Sequence, residues 1–228
     1  MGRIRPFAVV VALLSLVLGG AVPASAAAND NFMCSGNFTV IPGGNYRSLT
    51  VQGFCLVASG GNVTVTQNVV IAPGAVLLTN YPSFGGPAGL ANVNVGENVI
   101  VESGAVLLIG CEPSFGGRCT DVISGNLIGE GALGIIVHAT TIEGSALKSG
   151  GSNGGNVVVV NNNLADPDAV EILDNTITGN LVCQHNSMVW DSAELTQALF
   201  PRLPEPNTVD GKRVGQCVTA SPPGSGPF

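Results

Sequence analysis

Residues 62–78 read NVTVTQNVVIAPGAVLL, and residues 92–108 read NVNVGENVIVESGAVLL. At an offset of thirty, Val63/Val93, Val65/Val95, Val69/Val99, Gly74/Gly104, Val76/Val106 and Leu78/Leu108 are identical. The segments that follow match as well. Pro82-Ser83-Phe84-Gly85-Gly86 recurs as Pro113-Ser114-Phe115-Gly116-Gly117 after a one-residue insertion. Self-similarity at a fixed period is the signature of a repeat architecture.

Within each unit the apolar residues come as pairs two apart: Val63/Val65, Val69/Ile71 and Val76/Leu78. A period of two marks a strand with one buried face. Successive pairs lie about six or seven residues apart, with Gly, Asn or Pro at the corners between them. Leu49/Val51 and Cys55/Val57 extend the rhythm upstream; Val157/Val159, Val170/Ile172, Ile177 and Leu181/Cys183 carry it downstream. Three short strands and three corners make one coil of a parallel β-solenoid, whose inward residues stack about 4.8 Å apart. A β-sandwich also uses many short strands, but predicts neither this beat nor two aligned loops. Asn161, Asn162, Asn163, Asn175 and Asn180 fall at corners, where left-handed geometry and side-chain-to-backbone bonds are useful and where amides of successive coils can stack into a ladder. The expected fold is therefore all-β: a single-domain parallel β-solenoid, or β-helix.

Solenoid ends expose strand edges that must be covered. At the back, Trp190-Asp191-Ser192-Ala193-Glu194-Leu195 predicts a short C-terminal capping helix, with Asp191 and Glu194 as its capping box and Pro201 as its stop. Leu195, Leu199 and Phe200 give that helix an apolar stripe. All six cysteines, Cys34, Cys55, Cys111, Cys119, Cys183 and Cys217, follow the first 26 residues. No C-x-x-C occurs, and the two histidines, His138 and His185, stand apart, so disulfides are expected rather than zinc. Six cysteines allow fifteen connectivities. The architecture favours Cys34–Cys55 at the front, Cys183–Cys217 at the back, and Cys111–Cys119 around the loop CEPSFGGRC. The sister loop has Tyr81 and Ala88 where those last two cysteines stand.

Residues 1–26 read as a signal peptide: Arg3 and Arg5, an apolar run from Phe7 to Leu18, and the small-residue box Ala24-Ser25-Ala26. The run breaks at Gly19-Gly20, short of the roughly 20 residues a membrane span needs. The expected organisation is then an N-terminal cap over 27–48, the solenoid over 49–186, a C-terminal cap over 187–217 and a disordered tail over 218–228. The expected location is extracellular, released or associated with the cell surface. Without Arg3 and Arg5 the chain has six basic against 15 acidic residues, a net charge near −9. Nucleic acid and anionic lipid are disfavoured as partners.

The segments CSGNF (34–38), NLADPDAVEILDNTITGNLVCQHNS (163–187) and PNTVDGKRVGQC (206–217) resemble a group of uncharacterised secreted actinobacterial proteins. These combine an N-terminal C-S-G, G-N-hydrophobic corners, a G-N-L-x-C-x-x-N near the end and a final G-x-C. The resemblance covers most of the chain after residue 26. It implies a secreted β-solenoid with terminal disulfides and implies no activity. The helix expected after Trp190 departs from the Gly/Pro-rich linker usual in that group.

No residue is assigned as catalytic or metal-binding, and no cofactor is expected. Lyase chemistry needs a base beside calcium-binding acids. Between Leu49 and Cys183 the only Lys and Arg are Arg118 and Lys148. Glycosidases need facing carboxylates, but Glu97 and Glu102 have Gln67 and Ala72 as repeat counterparts. The acidic run Asp166 to Glu171, with Asp174, lacks the alternating calcium-loop pattern and reads as a solvated turn. His138, His185 and Trp190 read as packing residues. The candidate binding residues are Tyr81, Phe84 and Phe115, aromatics of the paired loops suited to a cell-wall glycan or a surface protein. The leading function is a non-enzymatic structural or binding module at or near the cell envelope. The alternative is an extracellular polysaccharide-active enzyme, a lyase or glycosidase.

Overall fold

The computed structural model describes residues 30–80, 91–111, 119–144, 154–164, 169–191 and 206–218. Twenty short strands, numbered in chain order, fall into three rows. The first row holds the N-terminal half of β3 (Gly44–Val51), then β5 (Asn62–Val65), β8 (Asn92–Val95), β11 (Asp121–Ile123), β14 (Thr140–Ile142), β17 (Thr176–Ile177) and β19 (Thr208–Val209). The second holds β1 (Asp30–Cys34), the C-terminal half of β3, β6 (Val69–Ile71), β9 (Val99–Val101), β12 (Leu127–Glu130), β15 (Val157–Val160), β18 (Leu181–Gln184) and β20 (Arg213–Gly215). The third holds β2 (Thr39–Ile41), β4 (Phe54–Val57), β7 (Val76–Leu78), β10 (Val106–Gly110), β13 (Gly134–His138) and β16 (Val170–Leu173), extended by a parallel bridge from Glu171 to Trp190. Every pairing is parallel, and after β4 the chain visits the rows in one fixed order. The long β3 joins the first two rows into one 14-stranded sheet; the third is a separate six-stranded sheet.

The thirty-residue offset is also the strand register: Val63 pairs with Val93, Val69 with Val99 and Val76 with Val106. The inward residues form stacked aliphatic columns such as Leu49, Val69, Val99, Leu127, Val157 and Leu181, all buried. Each buried aliphatic side chain contributes about 1.5–3 kcal/mol of transfer free energy, so the core is a line of modest, repeated terms.

The expected phase is right in the first two rows and, in the third, at Cys55/Val57 and Val170/Ile172, but it is inverted at Val76/Leu78 and Val106/Leu108. Leu77, Leu107 and Ile109 point into the core, whereas Val76, Leu78, Val106 and Leu108 are half-buried on the outside. The chain turns at Pro73-Gly74, with Gly74 at φ +72°, and Ala75 takes the inward corner position. The run Ala75-Val76-Leu77-Leu78 is apolar throughout, so alternation within it carries no phase information.

Each corner has its own amide ladder. Between the first and second rows, Asn98 donates its backbone N–H and its side-chain Nδ2 to Asn68 Oδ1, both at 3.0 Å. Asn126, Asn156 and Asn180 repeat the step. Lys212 N–H ends the ladder on Asn180 Oδ1. Between the second and third rows, Ala132 N–H donates to Asn162, Asn162 to Asn186, and Asn186 to Gln216. Between the third and first rows, Thr140 N–H donates to Asn175, and Asn175 to Asn207. Of the five asparagines expected at corners, Asn162, Asn175 and Asn180 join the ladders, and Asn161 takes the left-handed geometry also expected there, at φ +57°.

The three disulfides are Cys34–Cys55, Cys111–Cys119 and Cys183–Cys217, with Cα separations of 6.3, 5.4 and 5.5 Å. Such bonds belong to an oxidising environment. At the C-terminal end, Arg213 binds the buried carboxylate of Asp191 at 2.8 Å and the carbonyl of Asn207 at 2.9 Å. No α-helix occurs among the described residues, so the expected capping helix is not among them; residues 192–205 of that segment lie outside the description. Asp191, expected as its cap, is buried against Arg213. Among the described residues no helix is long and apolar enough to cross a membrane. Residues 1–26, expected as a signal peptide, and residues 219–228 of the expected tail lie outside the description.

Candidate functional site

The expected binding aromatics Tyr81, Phe84 and Phe115 lie outside the described residues, as do Arg118 and Lys148. What is described at their root is a buried polar corner between the third and first rows. Asn80 accepts Ala91 N–H at 2.8 Å and donates to the carbonyl of Gly110 at 2.9 Å. Its Nδ2 also lies 3.2 Å from the Cys119 sulfur. Both loops therefore spring from a corner held by one amide and one disulfide.

Asp121 begins β11 with its side chain facing inward, only 1% exposed. Val93 N–H donates to its Oδ1, and its Oδ2 has no partner. Burial pushes its carboxyl up to about 7, against which the Val93 N–H acts in the lowering direction. Among the described residues no lysine, arginine or histidine bonds to it.

The third row carries a second buried polar pair near its C-terminal end. His138 Nε2 lies 3.2 Å from Glu171 Oε2, and both side chains are buried. The contact is close, but the imidazole nitrogen is not aligned for a hydrogen bond. Register explains the meeting: Ile136 pairs with Glu171, and His138 stands two residues on along the same outer face. Trp190 continues the column, with its indole N–H buried and unpartnered. Glu171 thus corrects the solvated-turn reading of the acidic run at its last residue, because β16 carries it under cover; Asp166 and Asp168 lie outside the description. His185, expected in packing, is exposed at φ +54°, in a corner that swings it out of the core.

Among the other described carboxylates, Glu102 and Glu130 line one groove, and those with hydrogen bonds each meet a different side chain. Glu97 accepts from Asn68 at 2.8 Å, Glu143 from Ser124 at 3.2 Å, and Glu130 from Asn161 at 3.5 Å. A shallow, open groove on the second row is lined by Ile100, Glu102, Ile128, Glu130, Asn161 and Asn163. No group of three or more metal-ligating side chains occurs among the described residues.

At the N-terminal end of the third row, Phe38 and Phe54 stack with ring centroids 4.6 Å apart. Phe38 is 43% exposed and held at φ +59°, a strained choice for an aromatic residue. Val40 beside it is also exposed. The sequence contained a signal for this pair, since Phe38 and Phe54 precede outward Val40 and Leu56 by the strand period. No protein-family model matches this chain, and neither a curated protein nor a solved structure matches it.

Proposed function

We propose that the chain is a secreted parallel β-solenoid that serves as a non-enzymatic structural or binding module at or near the cell envelope. The observation that carries the reading is the way polar groups are used. Three amide ladders run along the three corners, and Glu97, Glu143 and the Arg213–Asp191 pair serve those corners and the C-terminal end. Three disulfides and an aliphatic core stiffen the same frame. A rigid rod with committed interior chemistry and broad outer faces suits adhesion or scaffolding.

The polysaccharide-active reading rests on one observation, the His138–Glu171 pair, an imidazole beside a carboxylate. Its burial beneath the outer face argues against substrate access. The deciding experiment uses the purified chain without residues 1–26. It is passed over cell-wall preparations and insoluble glycans and, in parallel, incubated with a panel of soluble polysaccharides. The expected result is retention on at least one surface, weakened by Phe84→Ala or Phe115→Ala, with no turnover. Turnover that disappears in His138→Ala would install the enzyme reading instead.

A further inference from the structure

We infer that the outer face of the first row is a docking track for a neutral, linear polysaccharide chain lying along the stack of strands. This rests on the binding-module reading above and names its ligand class and its surface. The outward residue at the centre of each first-row strand is Asn45, Thr64, Asn94, Val122, Thr141, Thr176 and Thr208 in successive rungs. The parallel register places these seven side chains in one column, about 4.8 Å apart. Asn45, Thr176 and Thr208 are exposed and the rest half-buried.

Two features distinguish this column from an ordinary wet face. The first is hydrogen bonding. None of its hydroxyls or amides is bonded within the described protein, although their neighbours on the same face are. Thr66 donates to the carbonyl of Arg47, Ser124 to Glu143, Thr178 to the carbonyl of Ile142, and Asn92 to Asn62. The outward column lacks such protein partners, so its hydroxyls and amides stay available to a ligand. The second is charge. The column carries no charged residue; Arg47 stands two residues on from Asn45, and Glu143 and Asp210 stand two residues on from Thr141 and Thr208. Those carboxylates accept from sugar hydroxyls and repel anionic polymers, and the acid excess of the whole chain acts in the same direction.

The shape of the free set selects the occupant. Along the middle rungs the unbonded groups form a line one residue wide, flanked by the bonded side chains of Asn62, Asn92, Thr66, Ser124, Glu143 and Thr178. A line fits a polymer chain, whereas ice or another crystal lattice needs a plane of free groups. An extended β-linked glycan advances by roughly one strand spacing per sugar, so each rung can meet one sugar with a hydroxyl or an amide. Val122 then meets the C–H face of the ring in the middle of the track.

The test is depletion from solution by chitin, microcrystalline cellulose and xylan, using the chain without residues 1–26. It is compared with the triple variant Thr64→Val, Thr141→Val, Thr176→Val. Valine keeps the branched shape and strand preference, and an unchanged melting temperature reports an intact fold. The expected result is binding to at least one neutral polymer that weakens at least tenfold in the triple variant. If the triple variant binds as tightly as the parent while Phe84→Ala or Phe115→Ala abolishes binding, the track is wrong and the binding-module reading stands. If the parent binds none of the three polymers, or shapes growing ice crystals without binding them, both the track and the glycan-binding form of the module are overturned.

Discussion

Asp121 is where the demands of the core and of a corner conflict. Its Oδ1 holds the Val93 N–H, but burial leaves Oδ2 without a partner and raises the carboxyl from 3.8 to about 7. The folded protein therefore holds a proton that the unfolded chain releases near 3.8. The folded state binds more protons between those values, so stability is highest below about 4 and falls as the pH rises toward 7. At about 1.4 kcal/mol per unit the total is on the order of 4 kcal/mol. Urea midpoints measured from pH 4 to 8 should decline over that window, and Asp121→Asn should remove most of the decline. A flat profile in the parent protein would sink this account of the residue. Gly110 sets a second residue-scale constraint. It sits at φ +89°, and a side-chain carbon there would collide with the carbonyl oxygen of His138. Gly110→Ala is expected to cost at least about 2 kcal/mol, read as a lower urea midpoint at constant slope.

At the scale of the element, the corners specify the structure more tightly than the strands do. A three-residue strand has little intrinsic preference for its register, and its neighbours offer Val, Ile or Leu at almost every rung. The ladders remove that ambiguity, because an Asn one residue out of place leaves two donors and an acceptor unsatisfied. Asn126 stands in the middle: its Oδ1 accepts both N–H groups of Asn156, and its Nδ2 donates to Asn98. Asn126→Ala should destabilise by about 2–3 kcal/mol, the cost of orphaned partly buried donors. Asn94→Ala, on the outer face of β8, should change the urea midpoint by less than about 0.5 kcal/mol. Equal losses in the two variants would show that the ladder has no special weight. The ladder was partly visible in the chain. Asn stands directly before the inward aliphatic at Val69, Val99, Leu127, Val157 and Leu181, a recurrence as regular as the valines themselves. The thirty-residue repeat made the parallel rows legible, because identical residues at a fixed offset pair rung on rung. The phase of β7 and β10 was not legible, because Ala75-Val76-Leu77-Leu78 offers no polar residue to mark the outside. The His138–Glu171 contact was equally hidden. It depends on register between segments 33 residues apart that share no repeat motif.

At the scale of the whole molecule, a stack of strands is only as secure as its ends. Interior strands have a neighbour on both sides, whereas the terminal β19 and β20 are two and three residues long and have one each. Three devices hold that end. Gln216 closes the second ladder by accepting from Asn186 and donating back to its carbonyl at 2.7 Å. Arg213 ties Asp191 to Asn207. Cys183–Cys217 joins β18 to the segment just past β20, across 34 residues of chain. In the loop-entropy picture that bond contributes about 4 kcal/mol. The contacts it supports are local, so its loss should not be shared evenly along the stack. In Cys183→Ser/Cys217→Ser, amide exchange should accelerate first in β20, then in β18 and β19, while β6 and β9 keep protection close to that of the parent. The N-terminal end provides the internal control, because there β1 spans five residues against β3 and Phe32 stacks on Tyr46 at 5.0 Å. Opening Cys34–Cys55 alone should therefore fray β1 without disturbing β18. If either double variant loses protection uniformly from end to end, the molecule unfolds as one unit and the ends are not its weak points. If loss spreads inward from the altered end, the rungs unfold in sequence, and the disulfides act as stops at the two ends.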